Sequence, residues 1–284
     1  MFLLYNKNRM NRVFKKKCLK IDFFLLFFFL FLLVKSLFYN YIYDIAVWPD
    51  KNYHLAVSRI YKENSLKIFF WNPEDVQIEC SDPVKYNPRV ASSPFLYHSL
   101  VGKIWFLTGS LRLTCFIQTF FGLLTIYYVY LLALFVSKSK WVAYLSLVII
   151  GNLPMFFYQI NYISYDNLVN LAGVASIFYF IKYLNNGKIR NFICLLIFLM
   201  LGSLSKITFG PLLVIFFGFL LVFKGNKLIL IIKDLISFVF DKRNWLLSFI
   251  LLLLLALNLL FYGRNIVKYD SFFPKYGYEL ERDC

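Results

Sequence analysis

The sequence predicts an all-α polytopic membrane protein, with about seven transmembrane helices and a large first extracytoplasmic loop that carries surface helices. Of the 284 residues, 60% are hydrophobic, and the mean hydropathy is +0.64, which is more apolar than an ordinary soluble domain. Apolar runs recur along the chain, and most approach the roughly 17–25 residues that a spanning helix needs. Basic residues gather between these runs, as expected of loops that stay in the cytoplasm. A soluble enzyme is therefore excluded.

The N-terminal segment, 1–20, is basic and is predicted to be cytoplasmic. The apolar run that follows is long and aromatic, and it has no small-residue cleavage site, so we expect a retained first helix rather than a signal peptide. The net charge of +16 would suggest a nucleic-acid partner in a soluble chain. Here the basic loops explain that charge, no nucleic-acid-binding pattern accompanies it, and we expect no nucleic-acid partner.

A multi-spanning domain is predicted over 21–262, and it includes an outer loop over 44–111. The C-terminal segment, 263–284, is predicted to be extracytoplasmic. The predicted spans are 21–43, 112–136, 141–158, 167–184, 191–205, 208–223 and 245–262. The basic stretch 224–243 has an amphipathic pattern that is typical of a helix lying at the inner membrane surface.

The orientation of these spans follows from their flanking charges. Lys15, Lys16 and Lys17 hold the N-terminus inside, and the loops at SKSK and KYLNNGKIRN are also basic and therefore internal. The loops at YQINYISYD and SKITFGP then face outwards. We predict a multi-pass protein of the cell membrane with a cytoplasmic N-terminus.

The outer loop contains two candidate surface helices. In PDKNYHLAVSRIY, four apolar side chains share one face at helical spacing, namely Tyr53, Ala56, Val57 and Ile60. Asp50 stands where the N-cap of that helix would lie. The stretch SSPFLYHSLVGKIWFL is predicted to be a membrane-surface helix, because polar residues such as His98 and Lys103 interrupt it. If it crossed the membrane, the orientation of everything after it would be inverted.

Charged residues from separate parts of the chain are predicted to meet at the outer face: Asp44, Asp50, His54, Asp166, Lys206 and Arg264. Each also has a simpler structural explanation. An aspartate before a helix is a good cap. A lysine at a hairpin tip can extend towards the interface, an arginine after a span can anchor it there, and a lone histidine can be a polar surface residue. Composition alone favours the cap at Asp50.

Metal and cofactor signals are weak. The two histidines are far apart in sequence, the five cysteines lack metal-ligand spacing, and no phosphate-binding loop or nucleophile motif occurs. We expect no metal site and no cofactor, with a divalent metal left open. Cys80 and Cys284 are predicted to lie on the same side, and a disulfide and two free thiols remain alternatives.

Taken in order, several stretches resemble one family: WPDKNYHLAVS, SSPFLYHSL, LRLTCFIQTFFGLLTIYYVYLLALF, NYISYDNLVNLAGVASIFYFIKYL, LLIFLMLGSLSKITFGPLL and FYGRNIVKYDSFFP. They resemble the C-type membrane glycosyltransferases, and in particular bacterial relatives of the protein O-mannosyltransferases and of the lipid A aminoarabinose transferase. The resemblance covers nearly the whole chain. Lys51 stands where the family motif commonly has a second acid. Family chains are usually longer, and a fragment, a split gene product and a degenerate copy are all compatible with this length.

The resemblance implies the transfer of a sugar from a polyprenyl-phosphate donor to a hydroxyl group of a glycan, lipid or protein at the outer face. It also implies that the membrane is the inner membrane of a bacterium. The essential acid of the family's first outer loop maps onto Asp50, which would deprotonate the acceptor. Cations would hold the departing phosphate, and the isoprenoid tail would lie in a groove among aromatic spans. The implied substrate-binding residues are Lys51, His54, Arg89, Asp166, Lys206 and Arg264, with Asp166 orienting the acceptor or a neighbouring cation.

Two other functions remain open from the sequence. A transporter or lipid flippase would use Asp166 and Lys206 in a path across the membrane, and it predicts charges near the middle of the bilayer. A non-catalytic subunit would explain the absent second acid and the length of the chain.

Overall fold

A computed structural model of the chain describes residues 22–42, 51–67, 78–79, 85–86 and 94–272. Eleven α-helices form in these residues: α1 (Phe23–Ile42), α2 (Lys51–Glu63), α3 (Leu96–Thr108), α4 (Leu111–Ser137), α5 (Lys140–Asn152), α6 (Pro154–Gln159), α7 (Asp166–Asn186), α8 (Ile189–Ser203), α9 (Gly210–Lys224), α10 (Leu228–Phe240) and α11 (Trp245–Tyr269). Two short antiparallel strands, β1 (Ile78–Glu79) and β2 (Lys85–Tyr86), pair in the loop before α3. The predicted all-α class is confirmed.

Helices form at all seven segments that were predicted as spans, but they differ in length. By length and composition, α1, α4 and α7 could cross a membrane, and so could Lys242–Val267, which includes most of α11. The helices α5 and α8 are apolar but have 13 and 15 residues. The segment Ile207–Phe223 meets Leu228–Phe240 at a bend of 116°. In the described part of the chain, four helices are long and apolar enough to cross a membrane, or five if the bent pair is one span, whereas the sequence predicted about seven spans.

The shortening of the third predicted span has a local cause. Leu153 takes an extended backbone conformation with ψ of 118°, and Pro154 occupies the first turn of α6. A proline ring excludes the helical conformation from the residue before it and removes one backbone donor. The apolar run 141–158 is consequently divided into α5 and α6.

Contacts between loops agree with the predicted sidedness. Asp22, before α1, accepts a hydrogen bond from Lys140 at 3.1 Å and one from the Tyr144 hydroxyl at 2.5 Å, both from α5. At the other end of α1, Asn40 donates to Asn161 at 3.2 Å. The start of α1 and the SKSK loop thus share one end of the bundle, and the end of α1 and the loop at Asn161 share the opposite end. Which end faces the cytoplasm remains a prediction.

The last helix is longer than the sequence predicted. Its predicted end was residue 262, but α11 continues to Tyr269, so the predicted extracytoplasmic segment 263–284 begins as helix. The predicted surface helix over 224–243 does form, as α10. Its position at the membrane surface remains a prediction.

Both predicted helices of the outer loop are present, and they pack against each other. The buried face of α2 carries Val57, Ile60 and Tyr61, while Ala56 is half-buried. Tyr61 was not in the predicted set and Ala56 was, so the buried face of α2 is rotated towards Tyr61 relative to the prediction. At 13 residues, α3 is shorter than a span needs. Gly102 of α3 faces α2 so closely that a Cβ there would lie 2.5 Å from the backbone oxygen of Ser58.

Among the described residues, the apolar core has three parts. The largest joins α7, α8, α9, α10 and α11 with the buried face of α2. A second joins α1, α4 and α5, and a third joins α3, α4 and α7. Each of α4 and α7 takes part in two of these clusters, and the clusters connect α2 and α3 to the rest of the bundle.

Candidate active site

A salt bridge joins two of the predicted site residues. Lys206 Nζ lies 2.6 Å from Asp166 Oδ1, and the two side chains are 27% and 31% exposed. Lys206 follows α8 at the tip of the hairpin, where Ile207–Phe209 form one turn of 3₁₀ helix before α9. Asp166 is the first residue of α7, and its amide donates to the Ser164 hydroxyl at 3.2 Å. The first turn of α7 thus holds the Asp166 carboxylate next to Lys206.

Tyr165 links this ion pair to the outer loop. Lys206 Nζ lies 4.4 Å from the centroid of the Tyr165 ring, a cation–π distance. The same ring meets His54 of α2 edge-on at 4.6 Å and His98 of α3 edge-on at 6.0 Å. Three parts of the chain therefore converge around one tyrosine: the start of α2, the start of α3 and the hairpin after α8.

The two histidines form a buried pair, which corrects the expectation that each lies at the surface. His54 is 3% exposed and His98 is 1% exposed. Their rings stack at 5.2 Å, and His54 Nδ1 lies 3.0 Å from His98 Nε2. Burial, helped by the proximity of His54, holds the pKa of His98 well below its usual value of 6.5. Because it is buried, His54 is a poor candidate for direct contact with a phosphate.

Acidification is expected to destabilise this region. The unfolded chain binds a proton at His98 as the pH falls below about 6.5, whereas the folded chain does not, so stability decreases through that range. We expect the melting temperature in detergent to fall between about pH 7.5 and about pH 5.5, and to fall less in His98→Gln, which does not titrate. Equal pH dependence in the two proteins would contradict this assignment.

Arg264 is buried rather than exposed at the interface. It is 2% exposed, and its guanidinium donates to Asn265 Oδ1 at 2.7 Å and stacks 4.8 Å from the centroid of Phe261. Phe261 in turn packs on Phe95, just before α3, at 5.5 Å. The Leu96 amide donates to the Leu204 carbonyl at 3.0 Å, which ties the same region to the Lys206 hairpin. Arg264 therefore belongs to the end of the bundle that carries the ion pair.

Some predicted site residues lie outside the described residues. Asp50 and Arg89 are among them, as are Asp44, Cys80 and Cys284. Lys51 is described only as the first residue of α2. Their predicted roles remain predictions. In the described part of the chain, no group of three or more His, Cys, Asp or Glu residues is placed to hold a metal ion.

Sequence reasoning missed a polar network beneath this site. Asn167 of α7 donates to Gln118 of α4 at 3.3 Å and to the Gln159 carbonyl at 2.9 Å. Asn161 accepts from Asn40, and its own amide donates to the Phe157 carbonyl at 2.7 Å. These bonds hold the loop over 160–165 against α1 and α4. The signal was the presence of amide side chains in otherwise apolar segments, where they are costly unless paired.

Comparison with known families decides the class. A family described as dolichyl-phosphate-mannose-protein mannosyltransferase matches residues 97–268, which is more than half of the chain. The chain belongs to this mannosyltransferase family. The predicted resemblance to the membrane glycosyltransferases is confirmed, and the multi-pass architecture agrees with it. The family acts on polyprenyl-phosphate sugars within a membrane. No match is found among curated proteins or among solved structures.

The matched range includes some site residues and leaves out others. Asp166, Lys206 and Arg264 lie within 97–268, as do His98 and Tyr165 of the converging cluster. Asp50 and His54 lie before it. The end of the bundle that carries the ion pair is therefore mostly built from the part of the chain that the family match covers.

Proposed function

We propose that this mannosyltransferase-family protein transfers a sugar from a polyprenyl-phosphate donor to a hydroxyl acceptor at the extracytoplasmic face of the membrane. The observation that carries the proposal is Lys206, a partly exposed cation within the family match, held by Asp166 at 2.6 Å. The ammonium group has three donors, and in the described part of the chain its one hydrogen bond goes to Asp166. Two donors can therefore meet the departing phosphate.

Asp166 has a defined part in this proposal. Its carboxylate fixes the position of Lys206, and the Tyr165 ring restricts the same ammonium group from another direction. A cation that is placed before the reaction stabilises charge as it develops on the leaving phosphate, without reorganising at that moment. Asp166 thus serves to orient a neighbouring cation, one of the two roles that the sequence left open for it.

Asp50 is proposed as the base that takes the proton of the acceptor hydroxyl. It precedes α2, and α2 is anchored by His54 and Val57 against the other helices. Attack by the activated hydroxyl on the anomeric carbon forms the new glycosidic bond, while the bond from that carbon to the phosphate oxygen breaks. The polyprenyl phosphate leaves with the electron pair, and the proton passes to the carboxylate.

Reconstituted protein supplied with a labelled polyprenyl-phosphate sugar and a hydroxyl acceptor should form labelled product. Lys206→Gln should lower the rate by about 10²-fold, since a neutral amide stabilises the departing phosphate much less. Lys206→Arg should retain a larger part of the activity. Lys188→Gln, at an exposed lysine of the opposite end of the bundle, is the matched control and should match the unmodified protein.

The outcomes separate the competing functions. Movement of the labelled lipid across the bilayer without product formation would favour the flippase. Absence of both product and movement would favour a non-catalytic subunit. If Lys206→Gln had the activity of Lys188→Gln, the role of Lys206 in holding the phosphate would be wrong.

A further inference from the structure

A groove of about 460 Å³ lies between α1 and the start of α4, and neither Lys206 nor Asp166 is among its lining residues. Its apolar walls include Val34, Leu37 and Phe38 of α1 and Phe116 of α4. Its lining also includes the polar side chains of Asn40, Tyr41 and Arg112, which lie towards the end of the bundle that carries Asn161. The groove therefore combines a hydrocarbon surface with a cation at one end.

Arg112 is available to a ligand. Its side chain is exposed, and it makes no ion pair or hydrogen bond with any residue that the structure describes. A guanidinium group offers five donors in a planar fork that matches the oxygens of a phosphate. An unpaired arginine beside an apolar groove near a membrane interface matches a lipid with an anionic head group in both charge and polarity.

The groove and the Lys206–Asp166 pair lie on different sides of α4. Arg112 and Phe116 are one turn apart and share a face of that helix. Gln118, which contacts Asn167 at 3.3 Å, is rotated from that face by roughly 140° at 3.6 residues per turn. A lipid in the groove is thus separated by α4 from Lys206 and Asp166, so the groove is unsuited to presenting a donor to that pair.

We propose that the groove binds one anionic phospholipid of the surrounding bilayer, with its phosphate on Arg112 and part of an acyl chain against Leu37, Phe38 and Phe116. The exposed apolar side chains of α1 lie in the hydrocarbon region of the membrane, where such lipids are abundant. Bound lipid would fill the space between α1 and α4, which are also joined through the packing of Phe28 and Ile126 in one core.

Lipid retention can be measured on the full-length protein, with no need for sugar transfer. The protein is reconstituted with an equimolar mixture of phosphatidylglycerol and phosphatidylcholine, and the retained lipid is counted by native mass spectrometry. We expect one retained phosphatidylglycerol. Arg112→Gln should lower this retention about fivefold, since one basic residue is removed from the head group. Arg190→Gln, at an exposed arginine of the opposite end, should behave like the unmodified protein.

A second variant tests the groove itself. Val34→Trp fills the apolar wall and leaves Arg112 intact, so retention of phosphatidylglycerol should also fall. Unchanged retention of phosphatidylglycerol in Arg112→Gln would overturn the proposal. An equal loss in Arg112→Gln and Arg190→Gln would also overturn it, because it would indicate that basic residues attract the anionic lipid wherever they lie. Stoichiometric displacement of phosphatidylglycerol by polyprenyl phosphate would overturn it in favour of a donor site.

Discussion

Asp50→Asn is expected to lower the rate of sugar transfer by at least about 10²-fold, because the amide cannot accept the proton of the acceptor hydroxyl. The substitution conserves size, and an asparagine caps a helix about as well as an aspartate. Insertion of the protein and formation of α2 should therefore be unchanged. The rate is measured with a labelled polyprenyl-phosphate sugar at equal amounts of inserted protein.

Glu63→Gln provides the matched control for that loss. Glu63 is an acid near the end of the same helix, and it pairs with Arg59 at 2.9 Å in an exposed i,i+4 salt bridge. Exposed pairs of this kind contribute little to stability, so transfer should stay near that of the unmodified protein. If Asp50→Asn and Glu63→Gln were equally active, Asp50 would not be the base.

Gly102→Ala is expected to be the most damaging single substitution for the packing of the outer loop. The added Cβ would lie 2.5 Å from the Ser58 backbone oxygen and 2.8 Å from the Lys62 amide nitrogen. Backbone atoms of a helix cannot move alone, so α2 and α3 must separate. Overpacking of this kind costs about 1–3 kcal/mol and sometimes more. The melting temperature in detergent should fall, and transfer should fall with it because α2 follows Asp50.

Gly218→Ala is the control for the change of residue type. A Cβ at Gly218, in the middle of α9, would meet nothing within 4 Å. Since alanine favours a helix over glycine by up to about 1 kcal/mol, this variant should be as stable as the unmodified protein or slightly more so. A similar loss of stability in both variants would show that the loss in Gly102→Ala does not come from the close approach of α2 and α3.

The sequence predicted the helices well because their signal is local. Hydropathy and flanking charge placed helices at all seven apolar segments, and the capping and spacing pattern of PDKNYHLAVSRIY predicted α2. The errors lie where a local pattern is not enough. Pro154 interrupts an apolar run that hydropathy treats as continuous. The helix α11 continues through Gly263, where the sequence predicted its end, since one glycine costs a helix only about 1 kcal/mol.

The candidate site was predicted in part. Asp166 and Lys206 were expected at the same face, and the structure joins them at 2.6 Å. The burial of His54 was missed because a one-residue shift in the helical face of α2 turns that side chain inwards, and a short amphipathic pattern does not define a face so finely. The Tyr165 ring that links the histidines to Lys206 belongs to no motif.

The sequence by itself determined the membrane class, the helical segments and the family, because each depends on the order of residue types along the chain. Only the tertiary structure decided that His54 and His98 form one buried pair, that Tyr165 lies between them and Lys206, and that Arg112 borders a groove on the other side of α4. These contacts join residues forty or more positions apart. Their geometry depends on how helices rotate and pack against one another, which hydrophobic periodicity alone does not specify.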